Sequence, residues 1–352
     1  LYAASGKGKA YAVRVLAELG ADINTTSACG CTPMYAASEN GKINVIRELV
    51  KHGANVNSPD HDGRTPLYMA ACESKLDTIR ALVELGADPN TPTNDGCSPM
   101  YNAAWDGLVD VIEVLFELGA NVNSPDEDGR TPVYVSAGNG KVRALKTLAK
   151  LGANINTATT SGCTPLYNAA WNGQTQSIRA LVERGANVNT SDHYGRTPVS
   201  IAAEQGKVDA IRLLVRLGAD VNTSDEQQRT PLAIAAMHGR LPVVKLLVEL
   251  RANVDAGSVV DGSSPLCQFV NMSSNSRRQA SLLLVNNGAD VRQCLIRMPP
   301  TLTEHIREMM TQIFDSVSLS SNHSYDGAAT CAAKCSLFSL TKLMSSASRG
   351  DD

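Results

Sequence analysis

Residues 30–57 read GCTPMYAASENGKINVIRELVKHGANVN, and 33 positions on, residues 63–90 read GRTPLYMAACESKLDTIRALVELGADPN. Residues 96–123, GCSPMYNAAWDGLVDVIEVLFELGANVN, repeat the pattern again. A Thr-Pro or Ser-Pro pair falls at Thr32, Thr65, Ser98, Thr131, Thr164, Thr197 and Thr230, and a Gly-Ala pair begins at Gly20, Gly53, Gly86, Gly119, Gly152, Gly185 and Gly218. Two independent markers that keep one 33-residue step define a tandem array, which grows in one dimension and needs no thick globular core.

Each letter of the unit has a physical reading. A hydroxyl before Pro caps the orphan amides of a helix start, where Pro loses no hydrogen bond. Paired small residues such as Ala70-Ala71, Ala103-Ala104 and Ala169-Ala170 let a neighbouring helix approach, and Gly41, Gly107 and Gly173 end the short helix in the left-handed conformation. A second helix is expected from the apolar stripes Ile43, Ile46, Leu49, Val50 and Val109, Ile112, Leu115, Phe116. The polar stretch that follows, such as NVNSPDHDGR, reads as a finger closing on a turn. The unit is finger, helix, turn, helix, and the fold class is an all-α repeat solenoid.

This pattern resembles the ankyrin repeat over residues 1 to about 291, with Tyr at Tyr35, Tyr68, Tyr101, Tyr134 and Tyr167 where that family usually carries a His that ties adjacent turns. A 66-residue period lies on top of the first: Cys31, Cys97 and Cys163 precede the helix cap in alternate units, Arg64, Arg130 and Arg196 in the others, and YNAAWDG at 101–107 returns as YNAAWNG at 167–173. The alternation ends at Arg229. The expected organisation is an array over 1–291 (a partial first unit, seven regular units and a degenerate last one), a capping helix within 292–317 built on Thr301 and Glu304, and a Ser-rich tail, 318–352, with too little apolar surface to order itself. The chain opens inside a repeat, at Leu1, and is therefore expected to be a fragment.

Composition narrows the function. With 32 Lys+Arg against 35 Asp+Glu, no long-range field draws the chain to nucleic acid or anionic lipid. No apolar run approaches the roughly 20 residues of a membrane helix. Of the nine cysteines, Cys31, Cys97 and Cys163 recur every 66 residues, in equivalent places on different units rather than as pairs, which favours reduced thiols in a cytoplasmic or nuclear protein. The six histidines are scattered, no phosphate-binding or HExxH motif occurs, and Cys29 with Cys31 and Cys331 with Cys335 lack partner pairs for zinc. No enzyme activity, cofactor, metal or small-molecule substrate is expected.

The resemblance implies a non-enzymatic scaffold that binds a protein partner on its concave face, through finger residues before the cap and helix residues before the turn. The finger positions are His61, Asp62 and Arg64, then Asn94, Asp95 and Cys97, then Glu127, Asp128 and Arg130, then His193, Tyr194 and Arg196. The helix positions are Cys72 and Glu73, Trp105 and Asp106, Trp171 and Asn172, and Met237 and His238. The alternative is the recognition part of a larger chain, a ubiquitin-ligase adaptor or a kinase-linked protein. Trp105 and Trp171, the two tryptophans, are either contact anchors flanking Arg130 or rings packed into the stack and copied together. The resemblance also implies asparaginyl hydroxylation at Asn24 and Asn222, against the simpler reading that these amides satisfy backbone groups in a turn. A monomer is expected.

Overall fold

The computed structural model describes residues 1–256, 264–266 and 276–289. The expected capping helix, the Ser-rich tail, most of the degenerate last turn and the pair Cys331 and Cys335 lie outside the described residues. Every element among the described residues is helical. The helices come in pairs: α1 (Tyr2–Gly6) with α2 (Ala10–Glu18), α3 (Pro33–Glu39) with α4 (Ile43–Lys51), α5 (Pro66–Cys72) with α6 (Leu76–Glu84), and α7 (Pro99–Asp106) with α8 (Val109–Glu117). Then follow α9 (Pro132–Gly138) with α10 (Val142–Lys150), α11 (Pro165–Asn172) with α12 (Thr175–Val182), α13 (Pro198–Glu204) with α14 (Val208–Arg216), α15 (Pro231–Met237) with α16 (Leu241–Glu249), and a last helix α17 (Ser276–Asn286).

The described residues pack as two compact units, residues 1–169 with 174–187, and residues 170–173 with the described residues from 188 onward. In the first, α1, α3, α5, α7 and α9 stack on one another as one layer and α2, α4, α6, α8, α10 and α12 as a second. In the second, α13 packs on α15, and α14 on α16, which packs on α17.

The caps form as the letters require. Thr32, Thr65 and Ser98 are extended, and their hydroxyls accept the amides of Tyr35, Tyr68 and Tyr101 at 3.1 Å, with Pro at the first helical position. The Ala pairs and the residue after each Pro (Met34, Leu67, Met100, Val133) are sealed between layers, all at or below 2% exposure. The second-helix stripe differs from expectation. Val45, Ile46 and Leu49 are buried in α4, and Val111, Ile112, Val114 and Leu115 in α8, whereas Phe116 is 40% exposed. A second helix meets neighbours on two flanks as well as its own partner helix, so the buried face takes in adjacent positions and rotates Phe116 to the outside.

The turn after each first helix places a residue at positive φ, met by Gly41 (68°), Gly107 (81°) and Gly173 (75°) but by Ser74 (51°) in the third pair. Gln228 (59°) and Arg251 (62°) likewise occupy slots held by glycine one unit earlier, at Gly195 and Gly218. Left-handed backbone costs an L residue about 1 kcal/mol. Replacing Gln228 or Arg251 with Gly is therefore expected to raise the urea midpoint by an amount worth about 0.5–1 kcal/mol, and a lowered midpoint in both variants would refute the assignment of strain to these slots.

Candidate interaction surface

The fingers are of two kinds, and the difference explains the 66-residue period. In the Arg fingers a buried acid closes the turn: Asp126 accepts the amides of Asp128 (3.1 Å) and Arg130 (2.8 Å) through one oxygen, and the Arg130 Nε (2.7 Å) through the other. Asp60 with Arg64, Asp192 with Arg196 and Asp225 with Arg229 repeat this arrangement. In the Cys fingers a hydroxyl does the work without charge. Ser27, Thr93 and Thr159 accept the amides of Cys31, Cys97 and Cys163 at 3.1–3.2 Å. A buried carboxylate needs a cation, a buried hydroxyl does not, so Asp travels with Arg and Ser or Thr with Cys.

Neighbouring fingers are tied to each other. The His61 amide donates to the Cys29 carbonyl (3.2 Å), Asn94 to Asp62 (3.0 Å), Thr160 to Asp128 (2.9 Å) and Glu226 to Tyr194 (3.0 Å). The Tyr101 hydroxyl donates to Asp126 Oδ2 at 2.9 Å, reaching from one unit into the next finger. At Tyr101 this bond takes the place of the inter-turn tie that the resemblance assigns to His. Burial and then Asp126 hold the Tyr101 hydroxyl well above its usual range, and burial followed by Asp60 does the same to Tyr35.

Within each unit, asparagine side chains link successive repeats as a ladder. Asn24 Oδ1 accepts the Asn55 amide (3.1 Å), Asn57 that of Asp88 (3.2 Å), Asn90 that of Asn121 (2.8 Å), Asn123 that of Asn154 (2.8 Å) and Asn222 that of Asn253 (2.8 Å). Asn24 and Asn222 are exposed and engaged in this ladder, so both satisfy backbone groups of the following unit.

The chosen surface residues stand as follows. His61, Asp62, Asn94, Asp95, Glu127, Asp128, His193, Tyr194 and His238 are exposed, and Cys72, Arg64, Cys97, Arg130, Arg196 and Met237 are half-buried. Glu73, Asp106 and Asn172 are exposed. Trp105 is 47% and Trp171 39% exposed, so neither ring is sealed in the stack. In the first unit Trp105 stacks on Tyr101, centroids 6.5 Å apart and planes 24° off parallel. The pair borders a groove of about 420 Å³ whose wall includes Tyr68, Asn102, Asp95, Glu127 and Arg130. Arg130 is committed within its own finger, to Asp126 and Asp128. Among the described residues Asp95 and Glu127, which line the groove, and Asp106, which accepts a bond from Asn102, are in no ion pair, which leaves the rim of the aromatic groove negative. In the second unit a smaller recess of about 200 Å³ is lined by Tyr194, Arg196, Glu226, Gln227 and Arg229, and the Arg196 guanidinium lies 5.2 Å from the Tyr194 ring centre.

Sequence reasoning singled out the two exposed tryptophans but missed the acid that orders each Arg finger. The signal was present as the alternation Ser27, Asp60, Thr93, Asp126, Thr159, Asp192 in step with Cys and Arg four residues later. Among the described residues no group of three or more His, Cys, Asp or Glu converges to hold a metal ion, and no helix is long and apolar enough to cross a membrane.

A family model described as ankyrin repeats matches residues 1–93, 100–192 and 187–258. No curated protein matches the chain. Among solved structures the chain is similar to the crystal structure of the human ASB11 ankyrin repeat domain, with 25% identity and a TM-score of 0.55, over 62% of this chain and 97% of that one. With its model covering most of the sequence and the helix-pair stack in place, the chain belongs to the ankyrin repeat family.

Proposed function

We propose that the chain is a protein-recognition module whose groove around Trp105 takes a partner segment bearing Lys or Arg. Ankyrin repeats are protein interaction modules in general, and the observation that carries the finer reading is a half-exposed Trp105 stacked on Tyr101 beneath a rim of carboxylates. A cation gains from an aromatic face and from nearby acids at once. Asp95, Asp106 and Glu127 supply the second part, Trp105 and Tyr68 the first. In the first unit His61, Asp62 and Arg64 form its periphery; in the second, Trp171 with Asn172, the recess at Tyr194 with His193, and Met237 with His238 are separate candidate contacts. We place the protein in the cytoplasm or nucleus as a monomer, and Asn24 and Asn222 as candidate hydroxylation sites on its exposed ladder edge.

The test is selection of peptides from a random library on the full chain, followed by titration of the winners against Trp105→Ala. Selection should enrich Lys and Arg, and the substitution should weaken binding about 30-fold, the effect of losing a hot-spot residue worth roughly 2 kcal/mol. Removing a ring that is half in solvent should cost no more than about 1 kcal/mol of stability. Affinity should fall with added salt. Enrichment of acidic or purely apolar peptides, or full binding by a well-folded Trp105→Ala protein, would overturn the reading.

A further inference from the structure

We propose that Cys29 and Cys31 form a redox-active dithiol, a modification site that closes to a disulfide by exchange with a low-molecular-weight disulfide such as glutathione disulfide. The two sulfurs lie 2.9 Å apart at the tip of the first Cys finger. Cys29 is exposed and Cys31 is 6% exposed, so one thiol meets the reagent and the other waits behind it. The turn that joins them is closed by two backbone bonds, Ser27 amide to Cys31 carbonyl (3.0 Å) and Gly30 amide to Ser27 carbonyl (2.9 Å), with Gly30 at φ 80° between the cysteines. Convergence of these two side chains is a property of the finger. In the Cys finger at 159–163 the same positions carry Ser161 and Cys163, whose Oγ and Sγ are 3.5 Å apart. The finger at 93–97 has Asp95 in the first position. Among the fingers, then, only the one at 27–31 places a second thiol where the turn delivers it.

The electrostatics suit a nucleophile and a resolving group. Hydrogen bonds from Cys31 and then Ser27 hold the Cys29 thiol below its usual range, while burial, and then the Cys29 contact, push Cys31 up to about 11. The thiolate is the attacking species, so Cys29 reacts first. Its sulfur bonds to one glutathione sulfur, the S–S bond of glutathione disulfide breaks, and one glutathione thiolate leaves and takes up a proton. The Cys31 thiol then gives its proton to solvent and attacks the Cys29 sulfur, expelling the second glutathione. Capping Cys29 has removed one of the charges that opposed ionisation of Cys31. Two protein thiols are oxidised and one glutathione disulfide is reduced to two glutathiones.

The test uses the full chain in glutathione buffers of stepped ratio, quenched in acid, alkylated and cut with trypsin. The peptide spanning residues 15–42, released after Arg14 and Lys42, contains Cys29 and Cys31 and no other cysteine. At buffer ratios that leave Cys97 and Cys163 alkylated, it should appear two hydrogens lighter and unalkylated. Cys31→Ser should instead retain one glutathione on Cys29, and Cys29→Ser should slow reaction of Cys31 about tenfold or more. Because Cys29 is exposed, Cys29→Ser should fold as the parent does, which a melt verifies. A peptide 15–42 that is doubly alkylated wherever Cys163 is, or that accumulates as a glutathione adduct in the parent chain, would overturn the proposal.

Discussion

Arg130→Cys should destabilise the chain by about 2–3 kcal/mol, and the further change Asp126→Thr should restore most of that loss. The Asp126 side chain is wholly buried, so its carboxylate without Arg130 becomes an uncompensated interior charge. Breaking a fully buried pair costs about 3–5 kcal/mol. The Arg130 side chain is 42% exposed, so water already shares its charge and the lower range applies. Asp126→Thr alone should cost about 1–2 kcal/mol, because a hydroxyl can still accept the residue-130 amide, as Thr93 and Thr159 do for Cys97 and Cys163, while Tyr101 and Arg130 lose their acceptor. Together the two substitutions write a Cys finger in place of an Arg finger, and their joint cost should be near 1 kcal/mol. A double-mutant cycle from urea unfolding would measure a coupling of about 3 kcal/mol. Additive single effects would show that the two finger types are not alternative solutions to one problem.

Leu115→Ala is expected to cost about 2–5 kcal/mol and to act locally. Leu115 is fully buried in α8, which packs against its unit's first helix α7 and the flanking second helices α6 and α10. Each pair touches only its neighbours, so a cavity there has no route to distant pairs. Hydrogen exchange should accelerate in α6 to α10 by factors matching the lost free energy and remain unchanged in α1 to α4. Uniform acceleration along the first unit would mean that it unfolds as one block.

Much of this architecture was legible because its markers answer backbone demands. A hydroxyl and Pro at Thr32 or Ser98 and a left-handed glycine at Gly107 are required by the geometry of a helix start and a tight turn, whatever packs around them. Ser74, Gln228 and Arg251 are not marked as left-handed by residue type, and only the 33-residue register, which sets them in line with Gly41, Gly195 and Gly218, carries that signal. Phe116 was misplaced for a related reason. A periodic stripe tells which side of a helix is apolar, but in a stack the buried side is fixed by two flanking helices as well as the partner. The site was half legible: Trp105 and Trp171 announced themselves by type and repetition, while the stacking on Tyr101, the acid rim and the meeting of Cys29 with Cys31 depend on how the finger turns.

The two finger types also constrain how the gene for such an array can change length. Tyr101, in a Cys unit, donates to Asp126 of the following Arg finger, while Tyr134, in an Arg unit, precedes a finger that offers Thr159 instead of an acid. Deleting or copying 66 residues keeps every hydroxyl opposite the partner it had. A shift of 33 sets an Arg finger after another Arg unit, and the one place where the sequence does this, at Asp225 and Arg229, carries Ser200 where the tyrosine would stand, with its hydroxyl turned back to the Thr197 carbonyl at 2.8 Å. In-frame recombination by pairs is therefore silent at the joints, whereas recombination by single units must be followed by a compensating substitution in the preceding helix, and length variants of this array should accumulate in steps of two.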